Sequence, residues 1–91
     1  MTMIERTLNI VNEKGLHARA SAKFVEVTED FDARVTVSKD GMDVSGDSIM
    51  GLLMLAASRG TSIDVRISGA DAEAAMKALE ALVADKFGEG I

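Results

Sequence analysis

The residues best suited to chemistry lie side by side in Gly15-Leu16-His17-Ala18-Arg19-Ala20, which holds the single histidine of the chain two positions before an arginine. An imidazole nitrogen without a proton is a nucleophile, and a guanidinium is a natural neighbour for a phosphate. What surrounds the pair decides whether they can work together. Before it, residues 4–11 alternate like a strand. After it, Leu16, Ala20, Phe24 and Val27 recur at the three-to-four spacing of one helix face. His17 is therefore expected in the first turn of a helix, just beyond a glycine-containing turn. A helix start exposes unpaired N–H groups and the positive end of the peptide dipoles, which favours both a phosphate and a neutral imidazole. His17 and Arg19 at such a place read as a site where a phosphoryl group is accepted and handed on. A short motif of this kind also fits an ordinary surface histidine, and residue types alone leave that reading open.

The elements that must position the pair can be followed along the chain. A strand at residues 4–11 leads to a helix at 17–29. Residues 33–39 form a second strand, with Val35 and Val37 alternating against Arg34, Thr36 and Ser38. Asp40-Gly41 is a two-residue hairpin signal, since both central positions of that turn want positive φ. Residues 42–45 pair back as a third strand, with Met42 and Val44 on one face. Either Asp47 or Ser48 caps a second helix at 48–57, and Arg59-Gly60 closes that region. Residues 62–68 form the fourth strand, where Ile63, Val65 and Ile67 alternate with Asp64, Arg66 and Ser68. A third helix at 71–86 carries the stripe Ala72, Ala75, Met76, Leu79, Leu82, Val83 and then Phe87. The order is β-α-β-β-α-β-α. Strands with one apolar face need helices to cover it, so the fold class is α+β with a four-stranded, mostly antiparallel sheet and three helices on one face.

Composition narrows the function. Ninety-one residues without a proline, a low-complexity stretch or a linker make one domain, residues 1–91. The chain has no cysteine and one histidine, which rules out disulfides and leaves a zinc site short of ligands. No cofactor is expected. A formal net charge of −5 argues against nucleic acid. Yet Arg6, Lys14, Arg19 and Lys23 are four of the ten basic residues and all lie in the first quarter. The acidic run from Asp71 to Glu89 reads as a solvated helix face. The start, Met1-Thr2-Met3-Ile4-Glu5-Arg6, lacks the pattern of a secretory leader, and the longest apolar run, Leu52 to Ala57, is too short for a bilayer. A cytoplasmic protein without membrane insertion, acting as a monomer, is the expectation.

Residues 48–57 show almost no polar face: Ile49, Met50, Leu52, Leu53, Met54, Leu55, Ala56 and Ala57. A domain this small cannot surround such a helix. Leu52, Leu55 and Ala56 are assigned to the core, and Ile49, Met50 and Leu53 to a surface patch for partner docking. Methionine suits a surface that must fit several partners.

Gly15-Leu16-His17-Ala18-Arg19, with Ser21-Ala22-Lys23-Phe24-Val25, resembles the active-site segment of HPr, the histidine phosphocarrier family of the phosphoenolpyruvate-dependent phosphotransferase system. Asp47-Ser48-Ile49-Met50-Gly51-Leu52 resembles the regulatory-serine segment and partner-facing helix of that family. Length and element order match as well, so the resemblance spans nearly the whole chain and implies the HPr-like open-faced β-sandwich. It implies that His17 accepts a phosphoryl group through Nδ1 from phosphorylated enzyme I and passes it to enzyme IIA-type acceptors. His17 would be a carrier intermediate rather than a stand-alone catalyst. Backbone N–H groups of Ala18, Arg19 and Ala20 would hold the equatorial oxygens, and Arg19 would neutralise charge in a loose transition state. Ile49, Met50 and Leu53 would face enzyme I and the enzyme IIA proteins.

Ser48 would be the site of regulatory phosphorylation by HPr kinase/phosphorylase, although Asp47 stands where family members so regulated often carry a basic residue. Ala20 departs from the proline common in the family. Some members of the nitrogen-related branch carry alanine there, so both sugar transport and nitrogen regulation stay open. The alternative is a regulatory interaction module of the same fold that carries no phosphate and is controlled through Ser48.

Overall fold

The structure is a computed structural model that describes residues 3–89. Its order is β1 (Met3–Asn9), α1 (Ala18–Glu29), β2 (Arg34–Lys39), β3 (Met42–Ser45), α2 (Ile49–Met54), β4 (Ser62–Ser68) and α3 (Ala72–Ala84). A single tight turn over Lys86–Gly88 follows. The strands make one sheet in the order β1-β4-β2-β3, and every neighbouring pair is antiparallel. This is the α+β sandwich expected from the element order.

Period-two alternation explains its two faces. Ile63, Val65 and Ile67 of β4 are fully buried, and Val35 and Val37 of β2 stand opposite Ile67 and Val65 in register. On that face they meet Ala20 and Phe24 of α1 and Ala72, Ala75, Met76 and Leu79 of α3 in one core. The other face stays polar. Arg66 there reaches Asp43 at 3.3 Å and Glu5 at 3.9 Å, and the Thr7 hydroxyl donates to Asp64 at 2.7 Å. The β2–β3 hairpin turns on Asp40 and Gly41 with φ of 50° and 83°, the pair of positive values that this turn demands.

Several boundaries differ from the sequence reading, each for a local reason. β1 stops at Asn9 rather than at residue 11, because Asn12 turns inward as a buried loop residue. α2 spans only Ile49–Met54. Leu55 is its C-cap, and Ala56 rather than Gly60 provides the first left-handed step, at φ 50°. Ala56 is consequently exposed, not in the core, while Leu52, Leu55 and Ala57 are buried. Met42 is exposed and Val44 only half-buried, since the short edge strand β3 leaves its face partly uncovered. Val27 and Leu82, at the rims of their stripes, are also half-buried. α3 ends at Ala84 and the chain then turns back, burying Phe87 completely.

Candidate functional site

The loop from Ile10 to Leu16 delivers His17 to the start of α1. The Leu16 N–H donates to the Ala57 carbonyl at 2.8 Å, tying this loop to the segment after α2. Gly15 makes the approach possible. It has φ of 65°, and a Cβ there would lie 2.5 Å from the Ala57 oxygen.

His17 is the N-cap of α1 and not part of its first turn, with extended backbone at φ −76° and ψ −178°. Its carbonyl accepts the first helical bond, from Ser21 N–H at 2.8 Å. Its side chain makes no capping bond. The N–H groups of Ala18, Arg19 and Ala20 precede the first helical donor, Ser21, and so have no acceptor within the helix; of the three residues, Ala18 and Arg19 are exposed. Ala20 departs from the sequence expectation: the residue is fully buried, backbone included, and does not line the hollow beside His17, so its N–H is not exposed to an anion.

The His17 ring turns instead toward the end of the chain, where Nε2 is hydrogen-bonded to a carboxylate oxygen of Glu89. The other carboxylate oxygen accepts from Asn12 Nδ2 at 2.9 Å, and the same Asn12 amide donates to the Gly15 carbonyl at 2.8 Å. Asn12 is fully buried, so its amide is a fixed part of the loop. The bond from His17 first, and that from Asn12 second, holds the Glu89 carboxyl below the usual carboxylate range. His17 Nδ1 has no hydrogen bond among the described residues.

A hollow of about 500 Å³ opens over this arrangement, lined by Lys14, His17, Ala18, Arg19, Lys23, Gly88 and Glu89. Arg19 is exposed at its rim and makes no ion pair among the described residues. Lys23 Nζ donates to the Phe87 carbonyl at 2.7 Å, which fastens the chain end to α1. The basic residues concentrated in the first quarter of the sequence thus meet in one place, with Arg6 apart from them, 4.0 Å from Glu80.

Ser48 is also an N-cap, and its hydroxyl oxygen accepts from the Gly51 N–H at 3.0 Å. Of the two candidate caps the structure selects Ser48; Asp47 accepts from the Ser45 hydroxyl at 2.5 Å instead. Beyond the cap, Ile49 and Met50 are exposed while Leu53 is half-buried. Met54, at 63 % exposure, extends the apolar surface although the sequence reading did not select it. Met50 and Met54 are four residues apart on a helix, and that spacing was its only available signal.

Glu89 and Asn12 were missed as well. By sequence Glu89 belongs to a solvated acidic face, and nothing in helical periodicity foretells a reversal after residue 84. The lone usable hint was an apolar Phe87 followed by Gly88 at the end of an amphipathic stripe.

The chain matches the family model described as "PTS HPr component phosphorylation site" over residues 4–85. It is 48 % identical over 88 residues to the phosphocarrier protein HPr of Neisseria meningitidis serogroup A, covering 97 % of this chain and 99 % of that one. It is 43 % identical over 89 residues to the phosphocarrier protein NPr of Shewanella violacea, covering 98 % of both. Among solved structures, HPr-C-His from Thermoanaerobacter tengcongensis superposes with a TM-score of 0.92 at 41 % identity, covering 97 % of this chain and 99 % of that one. A second solved HPr from that organism, described as a dimer, gives 0.76 at 41 % identity over 90 % of this chain and 94 % of that one.

Proposed function

The chain belongs to the HPr family of phosphotransferase-system phosphocarriers, and from that premise we propose that His17 is its phosphoryl-carrying residue, loaded by phosphorylated enzyme I and discharged to enzyme IIA-type proteins. The observation that supports this most is the state of the ring. Glu89 occupies Nε2, leaving Nδ1 as the free nitrogen beside open N–H groups and a basic hollow.

In the transfer, the Nδ1 lone pair attacks phosphorus. The bond between phosphorus and the donor's imidazole nitrogen breaks, and its electron pair returns to the donor. The moving group is loose and metaphosphate-like, so placement and charge do most of the work. N–H groups of Ala18 and Arg19 hold the equatorial oxygens, and the Arg19 guanidinium swings over the negative charge. Ile49, Met50 and Leu53, with Met54, dock the partner while the hollow receives its phosphohistidine. Ser48 lies at the rim of that patch, and we propose that phosphorylation there by HPr kinase/phosphorylase would weaken docking of enzyme I by placing charge against an apolar surface. The protein acts in the cytoplasm, as a monomer. No helix among the described residues is long and apolar enough to cross a membrane.

Incubation with phosphoenolpyruvate, magnesium and enzyme I, followed by intact mass measurement, tests the assignment. One added, acid-labile phosphoryl group per chain is expected. An unmodified chain under conditions that load a known HPr would refute it.

A further inference from the structure

The carrier reading leaves unused the most strained segment of the backbone. After α3 the chain places Lys86 at φ 56°, Phe87 at 55° and Gly88 at 77°. Two successive side-chain-bearing residues in the left-handed region each cost about 1 kcal/mol or more, so something must hold them. Phe87 is fully buried and Lys23 grips its carbonyl at 2.7 Å. The product of this hook is the placement of a single side chain. Glu89 ends up between Asn12 Nδ2 and His17 Nε2, with only 11 % of its side chain exposed.

We propose that Glu89 is a positioning residue for the transfer, selecting the His17 tautomer in which Nε2 carries the proton and Nδ1 the nucleophilic lone pair. A carboxylate can only accept, so the nitrogen facing it must donate, and the proton is thereby kept off Nδ1. Asn12 prevents any substitute from doing the same by reorientation. Its Nδ2 donates to the Gly15 carbonyl as well as to Glu89, so the position it faces must be an acceptor. The carboxyl stays ionised through the neutral range, because its two hydrogen bonds hold it below the usual carboxylate range and Lys14 adds a favourable charge. Arg19 and Lys23 are the other cations that line the hollow. When Nδ1 takes the phosphoryl group, the ring becomes an imidazolium whose Nε2 proton remains on the carboxylate side, and Glu89 balances that charge. On departure of the phosphoryl group the electron pair returns to Nδ1 and the ring is neutral again, with the proton unmoved.

This inference rests on His17 as the carrier, and two isosteric choices test it. In Glu89→Gln the amide oxygen must face Asn12 and the NH2 must face His17, so Nε2 becomes the acceptor and the proton moves to Nδ1. In Glu89→Ala the ring is released with no instruction. The conservative variant is therefore predicted to be the more damaging one, which a packing role would not produce. Long-range proton–nitrogen correlation spectra of isotope-labelled histidine, taken at about pH 8 where imidazole is neutral, read the tautomer directly in the free protein.

The expected result is an Nε2–H ring in the wild type and an Nδ1–H ring in Glu89→Gln. Phosphorylation by enzyme I would slow about tenfold or more in Glu89→Gln and about twofold or less in Glu89→Ala, following the population of the competent tautomer, with KM unchanged. An unchanged tautomer in Glu89→Gln, or a slower Glu89→Ala than Glu89→Gln, would overturn the proposal. Because the spectra need no phosphoryl donor, they stand apart from the loading assay. An unphosphorylated wild type would defeat the carrier reading and leave the tautomer result intact.

Discussion

The chain has two helix starts on its working surface, and they are finished in opposite ways. At α2 the cap residue Ser48 turns its side chain back and satisfies the Gly51 N–H, so that end is closed by its own hydroxyl. At α1 the cap residue His17 makes no such bond, because Glu89 and Asn12 have drawn its ring aside. Ala18 and Arg19, whose N–H groups have no partner within the helix, are left lining a basic hollow. The same backbone element is thus closed by its own side chain in one place and left uncapped in the other. The difference lies in one side chain's partners. The filled end is followed by exposed Ile49, Met50 and Met54, which suits a surface meant to be touched. The open end suits a group meant to be exchanged.

The division can be broken most severely at the open end. His17→Ala should leave no acid-labile phosphate at all, while affinity for enzyme I stays within about twofold, since the ring adds little buried apolar area. Intact mass and titration calorimetry would check the two halves separately. Arg19→Ala should slow transfer about tenfold to a hundredfold, the value of one charge-assisted hydrogen bond, with little change in docking. Rapid-quench rates beside binding constants decide this, and weaker docking at an unchanged rate would reverse the role given to Arg19.

At the closed end the effects invert. Met50→Lys should weaken enzyme I binding about tenfold by putting a strongly hydrated charge into an apolar contact, worth about 1–2 kcal/mol. Transfer within the complex should proceed at the normal rate. Ser48→Ala removes only a cap and should cost about 1 kcal/mol of stability, read by urea titration, with phosphorylation of His17 unaffected.

The smallest effect is expected away from both ends, on the polar sheet face. Hydrogen bonding from Ser38, and then the charge and hydrogen bond of Arg66, holds the Asp43 carboxyl below its ordinary range. A carboxyl depressed in the folded state stabilises above its unfolded value, and that contribution fades as pH falls through the folded value. Asp43→Asn should therefore lower the melting temperature slightly at neutral pH, and the two curves should converge in acid. A constant gap down to low pH would show that Asp43 acts by shape and not by charge.

Periodicity carried most of the fold. The stripes of α1 and α3, the alternation of β4 and the Asp40-Gly41 turn were legible because each depends on neighbours a few positions away. The end of α2 was not, because Ala56 accepts a left-handed φ that glycine would usually take. The site was half legible in the same sense. His17, Arg19 and the open N–H groups come from one contiguous segment. Glu89 lies 72 positions from His17, and its arrival depends on the left-handed hook and the burial of Phe87. No local pattern encodes that approach, and an acidic residue near a chain end ordinarily belongs to solvent.

Everything proposed for this site depends on the open helix start presenting Nδ1 of His17 to the phosphoryl group. Labelling the sole histidine with heavy nitrogen and loading the protein with enzyme I and phosphoenolpyruvate would test it directly, through phosphorus–nitrogen coupling. One phosphorus signal coupled to Nδ1 is expected, with Nε2 still bearing its proton. Coupling to Nε2, or a phosphorus signal coupled to neither ring nitrogen, would contradict it.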